Sequence, residues 1–233
     1  MELHNARVIV TGGSAGIGKA TAQLLIEAGA HVAITGRDKR KLDEVSRALG
    51  VIPIHADVSK EQDVIRTYQE ALSRLGGLDC LVNNAGIGVH KPSVELSASE
   101  MTEVWSVNVL GAALMAREAA KIFIKQKSGN IINVASTSGT RGYESGTAYV
   151  ASKFALRGMS ECWRAELRKF NVRVMTVNPS EVPTAFGSKE RTERPEQPNK
   201  LRSLDIAYAI KTALEMDDRG FIPELTVFAT NPF

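Results

Sequence analysis

The chain has 233 residues, 43% of them hydrophobic, with 29 basic residues against 26 acidic ones and a formal charge of +3. That length suits one well-buried α/β core, and with no composition shift to mark a second unit, residues 1–233 read as a single domain. The balanced charge leaves no basic stripe for nucleic acid, no run of about 18 apolar residues offers a membrane span, and Met1–Arg7 carries no apolar signal segment, so a soluble cytoplasmic protein without nucleic-acid or membrane partners is expected.

The first β-branched run, Arg7–Thr11, reads as a buried strand and leads directly into Gly12-Gly13-Ser14-Ala15-Gly16-Ile17-Gly18 and the helical Lys19–Leu25. Gly12, Gly16 and Gly18 suit a turn that needs unusual dihedrals, close approach of backbone to a pyrophosphate, and tight packing of helix on sheet. A tight turn without ligand is the alternative, but the position between first strand and first helix favours a dinucleotide. The second strand, His31–Thr35, ends at Gly36-Arg37 with no carboxylate at its tip, where dinucleotide folds commonly hold a ribose 2′-hydroxyl. Arg37 suits a 2′-phosphate instead, which points to NADP(H) over NAD(H). The competing reading leaves Arg37 in solvent and gives the ribose to Asp38, a residue suited to capping the next helix.

Further strands are expected at Val51–His55, Asp79–Asn83, Asn130–Ala135 and Val172–Val177, with a last one near Leu225–Ala229. Ser59 with Gln62 and Ser97 with Glu100 fit the capping-box pattern for helix starts; Ser203, followed by Ile206, marks a start without the box. This alternation implies a doubly wound parallel sheet of about seven strands with helices on both faces, three layers α/β/α, binding ligands outside the carboxyl ends of the strands. Residues 187–200, charged and holding Pro195 and Pro198, read as the mobile part of a substrate lid spanning about 184–202. Cys80 and Cys162 read as buried free thiols, and histidines 4, 31, 55 and 90 lack metal-ligand spacing, so no metal is expected. Trp105, Met115, Phe123, Trp163 and Phe170 read as core and packing residues.

Tyr149 and Lys153 stand four apart, a spacing that stacks them on one helix face. An ammonium beside a phenol favours the phenolate, which would bring a proton donor with an ordinary pKa of about 10 toward neutrality. Alone the pair is common on solvated helices. Here it follows Ser136 by thirteen residues and lies downstream of both the glycine turn and Asn83-Asn84-Ala85-Gly86.

Together these motifs resemble the short-chain dehydrogenase/reductase family over Arg7 to about Thr184. The resemblance implies a Rossmann-like fold and an oxidoreductase that interconverts a carbonyl and a secondary alcohol by hydride transfer, with a catalytic tetrad of Asn108, Ser136, Tyr149 and Lys153. It assigns the proton to Tyr149, a hydrogen bond on the substrate oxygen to Ser136, the nicotinamide ribose to Lys153, and a water in a proton relay to Asn108. It also implies cofactor contacts from Gly12, Ser14, Gly16, Ile17, Gly18, Arg37, Asp57, Val58, Asn83, Ala85, Gly86, Pro179, Val182 and Thr184. Asp57 has the alternative of simply turning the chain, and Asn83 that of locking the central strands. Ser180 replaces a glycine usual in the family, and Ala15 stands where some NADP-preferring members carry a basic residue.

Substrate choice is expected to lie in residues 88–95, 138–146 and 184–200, with Arg141, Tyr143 and Glu144 as possible contacts, while Lys189, Arg191, Arg194 and Lys200 interleave with acids that cancel much of their field. The ending Thr226–Phe233 lacks the Val-Asp-Gly-Gly frequent in acyl-carrier-protein reductases of the family, yet a 3-oxoacyl-[acyl-carrier-protein] reductase stays open as the specific activity. A non-catalytic nucleotide sensor on the same fold is the reading from another class; the intact tetrad argues against it. The family's subunit contacts imply a homodimer or homotetramer through the helices around 102–126 and 148–170, a reading that sedimentation as monomer alone would reject.

Overall fold

The computed structural model describes residues 1–186 and 194–232. Seven strands form one sheet in the order β3-β2-β1-β4-β5-β6-β7, every neighbouring pair parallel. They are β1 (Arg7–Thr11), β2 (His31–Gly36), β3 (Ile52–His55), β4 (Cys80–Asn83), β5 (Gly129–Val134), β6 (Val172–Pro179) and β7 (Glu224–Val227). The helices are α1 (Gly16–Glu27), α2 (Lys39–Leu49), α3 (Glu61–Leu75), α4 (Ala98–Trp105), α5 (Ala112–Gln126), α6 (Thr147–Leu167) and α7 (Ser203–Glu215). The fold is thus the doubly wound Rossmann-like sheet expected from the alternation of strands and helices.

The period of two along each strand divides the core. Val8 and Val10 join the cluster on one face with Val32 and Ile34, while Ile9 and Ala33 join Leu81 and Ile131 on the other. With both faces covered, β5 and β6 are buried along their whole length, including their polar Asn130, Asn133, Arg173, Thr176 and Asn178. The chain winds outward from β1 to β3 and then returns to β4 beside β1, and a crevice opens at that reversal, outside the carboxyl ends of the strands.

Several local expectations shift. Ser97 makes the full capping box with Glu100, but α3 starts at Glu61 without a side-chain cap, because Ser59 spends its hydroxyl on Asp57 at 2.8 Å. The last strand lies slightly earlier than expected. Cys80 is buried, whereas Cys162 is exposed on α6, and Trp105 is 48% exposed rather than core, since α4 presents it away from the sheet. Met115 and Phe123 are buried as read, and Trp163 and Phe170 pack partly buried against the same cluster. Among the described residues no helix is long and apolar enough to cross a membrane.

Candidate active site

The crevice is a cleft of about 1300 Å³ that runs from the tip of β2 past the glycine turn to the start of α6. Gly12 holds φ at +64°, a region that L side chains rarely adopt. A Cβ on Gly18 would run into the Gly12 carbonyl oxygen and the Asn84 side chain, so Gly18 serves the packing of α1 and does not line the cleft. Thr11 Oγ1 accepts the backbone N–H groups of Asn84 and Ala85, both at 3.0 Å, and Asn84 Nδ2 donates to the carbonyls of Thr11 at 3.0 Å and Gly12 at 3.2 Å. The turn and the segment after β4 are thereby braced together, with Ala85 and Gly86 facing the cleft. Asn83 lies beneath them; its Nδ2 donates to the Ala112 carbonyl and to Asn133 Oδ1, which ties β4 to β5. α1 begins at this turn with no side-chain cap and no acid in its first turn, a donor set suited to the pyrophosphate of a dinucleotide.

At the far end Ser14, Arg37, Lys41, Asp57 and Val58 line the cleft. Arg37 is exposed at the tip of β2. Asp38 accepts the Lys41 N–H at 3.1 Å and so acts as N-cap of α2. Asp57 both lines the cleft and turns the chain, its Oδ1 accepting from Ser59 N at 3.0 Å.

At the other end stand Ser136, Tyr149 and Lys153. Ser136 follows β5, which brings it beside the first turn of α6; its Oγ accepts from Ser138 N at 3.1 Å and donates to Ser138 Oγ at 3.2 Å, and with Tyr149 it lines the cleft. Lys153 is buried, donates to the Val134 carbonyl at 2.9 Å, and sits 5.6 Å from the centroid of the Tyr149 ring. Burial lowers its pKa from 10.5 to about 8. Burial also raises the Tyr149 phenol above its ordinary value, while the nearby Ser136 hydroxyl pulls the other way. The downward shift expected from Lys153 does not show: in so dry a place the cost of charging the phenol outweighs its neighbours.

Asn108 lies in a π-helical turn, Ser106–Gly111, between α4 and α5. Its Oδ1 accepts from Ile87 N at 2.8 Å, and its Nδ2 donates to the Ile87 carbonyl and to Ser152 Oγ, both at 2.9 Å. Ser152 in turn donates to the Tyr149 carbonyl at 2.7 Å. Asn108 therefore joins the cleft wall after β4 to the helical turn that carries Tyr149. Helices adopt π turns rarely, and often at functional sites.

The family model for short chain dehydrogenase matches residues 6–195. The chain belongs to the short-chain dehydrogenase family. An uncharacterized oxidoreductase of Staphylococcus aureus is 35% identical over 94% of this chain and 95% of its own length. Among solved structures, a 3-ketoacyl-(acyl-carrier-protein) reductase from Brucella melitensis, complexed with NADH, superposes with a TM-score of 0.89 at 28% identity, covering 99% of this chain and 100% of the other. An alcohol dehydrogenase from the archaeon Thermococcus sibiricus, complexed with 5-hydroxy-NADP, gives 0.86 at 28% identity and 96% of each chain.

In this short-chain dehydrogenase, Pro179 at the end of β6 and Val182 and Thr184 beyond it line the cleft, and the Thr184 methyl lies 3.3 Å from where a Cβ on Gly16 would stand. Ser180, in place of the usual glycine, donates its N–H to the Val227 carbonyl at 2.9 Å and is not among the positive-φ residues, so the strand end tolerates a side chain there. Residues from all three expected substrate segments reach the mouth: Gly88, Val89 and His90; Ser138, Arg141 and Tyr143; Ala185, Phe186, Arg194 and Lys200. Glu144 does not line it. Lys189, Arg191 and the rest of 187–193 lie outside the described residues. The sequence reading missed the brace of Thr11 and Asn84, for which the threonine heading the glycine turn is a usable signal. It also missed His90 and Phe186, whose rings meet Tyr149 only through the fold.

Proposed function

We propose that this protein is an NADP(H)-dependent oxidoreductase interconverting a carbonyl and a secondary alcohol, with Tyr149 as the acid/base. The observation that carries the reading is a buried tyrosine, backed by a buried lysine and sharing the cleft wall with Ser136, at one end of the cleft that holds the glycine turn at its middle. When bound, the nicotinamide supplies or accepts the hydride. The turn residues Gly12, Ser14, Gly16 and Ile17 hold the pyrophosphate, Asp57, Val58, Ala85 and Gly86 the adenosine, and Pro179, Val182 and Thr184 the carboxamide, while Lys153 takes the nicotinamide ribose. Tyr149, kept protonated by its buried setting, delivers the proton to the oxygen of the reduced carbonyl, and Ser136 stabilises the charge as it develops. Asn108, by family resemblance the holder of a relay water, fixes Ser152 and with it the turn carrying Tyr149.

The NADP(H) preference rests on Arg37 at the cleft wall, with Asp38 engaged as a helix cap. The two solved relatives bind NADH and 5-hydroxy-NADP, so the family alone does not decide it. Initial rates of NADPH and NADH oxidation against a panel of ketones, aldehydes and 3-oxo compounds test the reading. NADPH is expected to be preferred, and Arg37→Asp to cut kcat/KM for NADPH roughly ten- to hundredfold while sparing NADH, the worth of charge-assisted hydrogen bonds to a phosphate. Equal efficiency with both cofactors in the parent, or no loss in the variant, contradicts it.

A further inference from the structure

The reactive end of the cleft is bordered by three rings from three separate segments. His90, after β4, has its ring centroid 5.7 Å from that of Tyr149, and Phe186, beyond β6, lies at 5.2 Å, both tilted by 58°. Tyr143, before α6, stacks at 6.1 Å on His90, its hydroxyl 3.4 Å from His90 Nδ1. Gly88 makes this convergence possible: a Cβ there would stand 2.8 Å from Phe186 Cε1 and 3.1 Å from His90 Nε2. A carbonyl oxygen placed between Tyr149 and Ser136 puts its substituent among these rings.

The charges at the mouth point the same way. Of the described cations near the mouth, Arg194 donates to the Thr184 carbonyl at 3.1 Å, Lys200 is paired with Glu181 at 2.8 Å and the neighbouring Lys91 with Glu100 at 2.6 Å, while Arg141 stands exposed at the rim. Glu100 and Glu103 both line the cleft. With three of these four cations engaged and acids beside them, the mouth gives poor purchase to the phosphate arm of a carrier-bound thioester.

We propose that the substrate is a carbonyl compound, or the matching secondary alcohol, bearing a flat apolar ring next to the reacting carbon, and that His90, Tyr143 and Phe186 select it. This rests on the carbonyl–alcohol reading above. Aromatic rings meet other rings edge-to-face or offset with a gain beyond area burial, which a flexible alkyl chain does not share.

The test compares kcat/KM for an aryl methyl ketone, a linear methyl ketone of equal carbon number and an acetoacetyl thioester, in the parent, Phe186→Leu and Tyr143→Leu. The parent is expected to favour the aryl ketone about tenfold over the linear one, and each variant to bring that ratio close to one, the size expected for loss of one or two ring contacts. Calorimetry of aryl ketone binding to enzyme saturated with oxidised cofactor reads the same rings without turnover. Preference for the linear ketone or the thioester, or variants that leave the aryl-to-linear ratio unchanged, overturns the proposal while the carbonyl–alcohol reading stands. If no carbonyl turns over yet aryl ketone binding weakens in both variants, the ring selection stands and the activity reading falls; if binding is also unchanged, both fall.

Discussion

Tyr149→Phe is expected to lower kcat for carbonyl reduction by about a hundred- to ten-thousandfold, the usual worth of a positioned general acid. The substitution removes one oxygen. The Phe ring retains the place beside His90 and Phe186, so the walls of the site survive. What goes is the proton that must reach the developing alkoxide. Removing one hydroxyl alters stability by about 1 kcal/mol, too little to unfold the chain, so a circular dichroism melt separates chemistry from folding. Steady-state rates within a few fold of the parent, with a matching melt, would remove Tyr149 from the mechanism.

Lys153→Met is expected to do two opposite things: abolish most of the activity and stabilise the protein. The ammonium is buried and its pKa is held down to about 8 from 10.5 by desolvation. Burying that charge costs on the order of 3 kcal/mol at neutral pH, partly offset by its hydrogen bond to the Val134 carbonyl. The methionine restores the volume without the charge, so Tm should rise by a few degrees, about 2–4 °C for each net kcal/mol in a chain of this size. The pH dependence follows from the direction of the shift. Below pH 8 both folded and unfolded chains carry the proton and the penalty is complete; between 8 and 10.5 the unfolded chain holds a proton that the folded one has released. The parent therefore gains stability as pH rises through that window, and the advantage of the methionine variant shrinks. Melts of both proteins from pH 7 to 10 measure this; a variant less stable than the parent at pH 7, or a gap that widens with pH, contradicts it.

The strands and the turn were legible because their signals are local. A β-branched run followed by glycines at fixed spacing carries its own geometry, and Tyr149 and Lys153 share a face as soon as their segment is helical. What the sequence withheld depends on distant partners. Ser59 looks like a helix cap until Asp57 takes its hydroxyl, and Trp105 looks like core until α4 is seen to turn it outward. The π turn around Asn108 has no sequence signature beyond an asparagine misplaced in a helix. The direction of the Tyr149 shift differs from the sequence expectation for the same reason. A lysine four residues away is visible in sequence, whereas the dry surroundings that outweigh it are assembled from β5, α6 and Phe186. The rings of His90, Tyr143 and Phe186 were likewise confined in advance only to three segments, since none of them lies near Tyr149 on a shared element apart from the short loop that carries Tyr143.

The most direct measurement follows the hydrogen itself. Reduction of a ketone with NADPH deuterated at the transferable C4 position, analysed by NMR of the alcohol, should place one deuterium on the carbinol carbon, with the hydroxyl proton drawn from solvent through Tyr149. NADPH consumption without deuterium on that carbon, or no ketone-dependent consumption across the panel, would contradict the account.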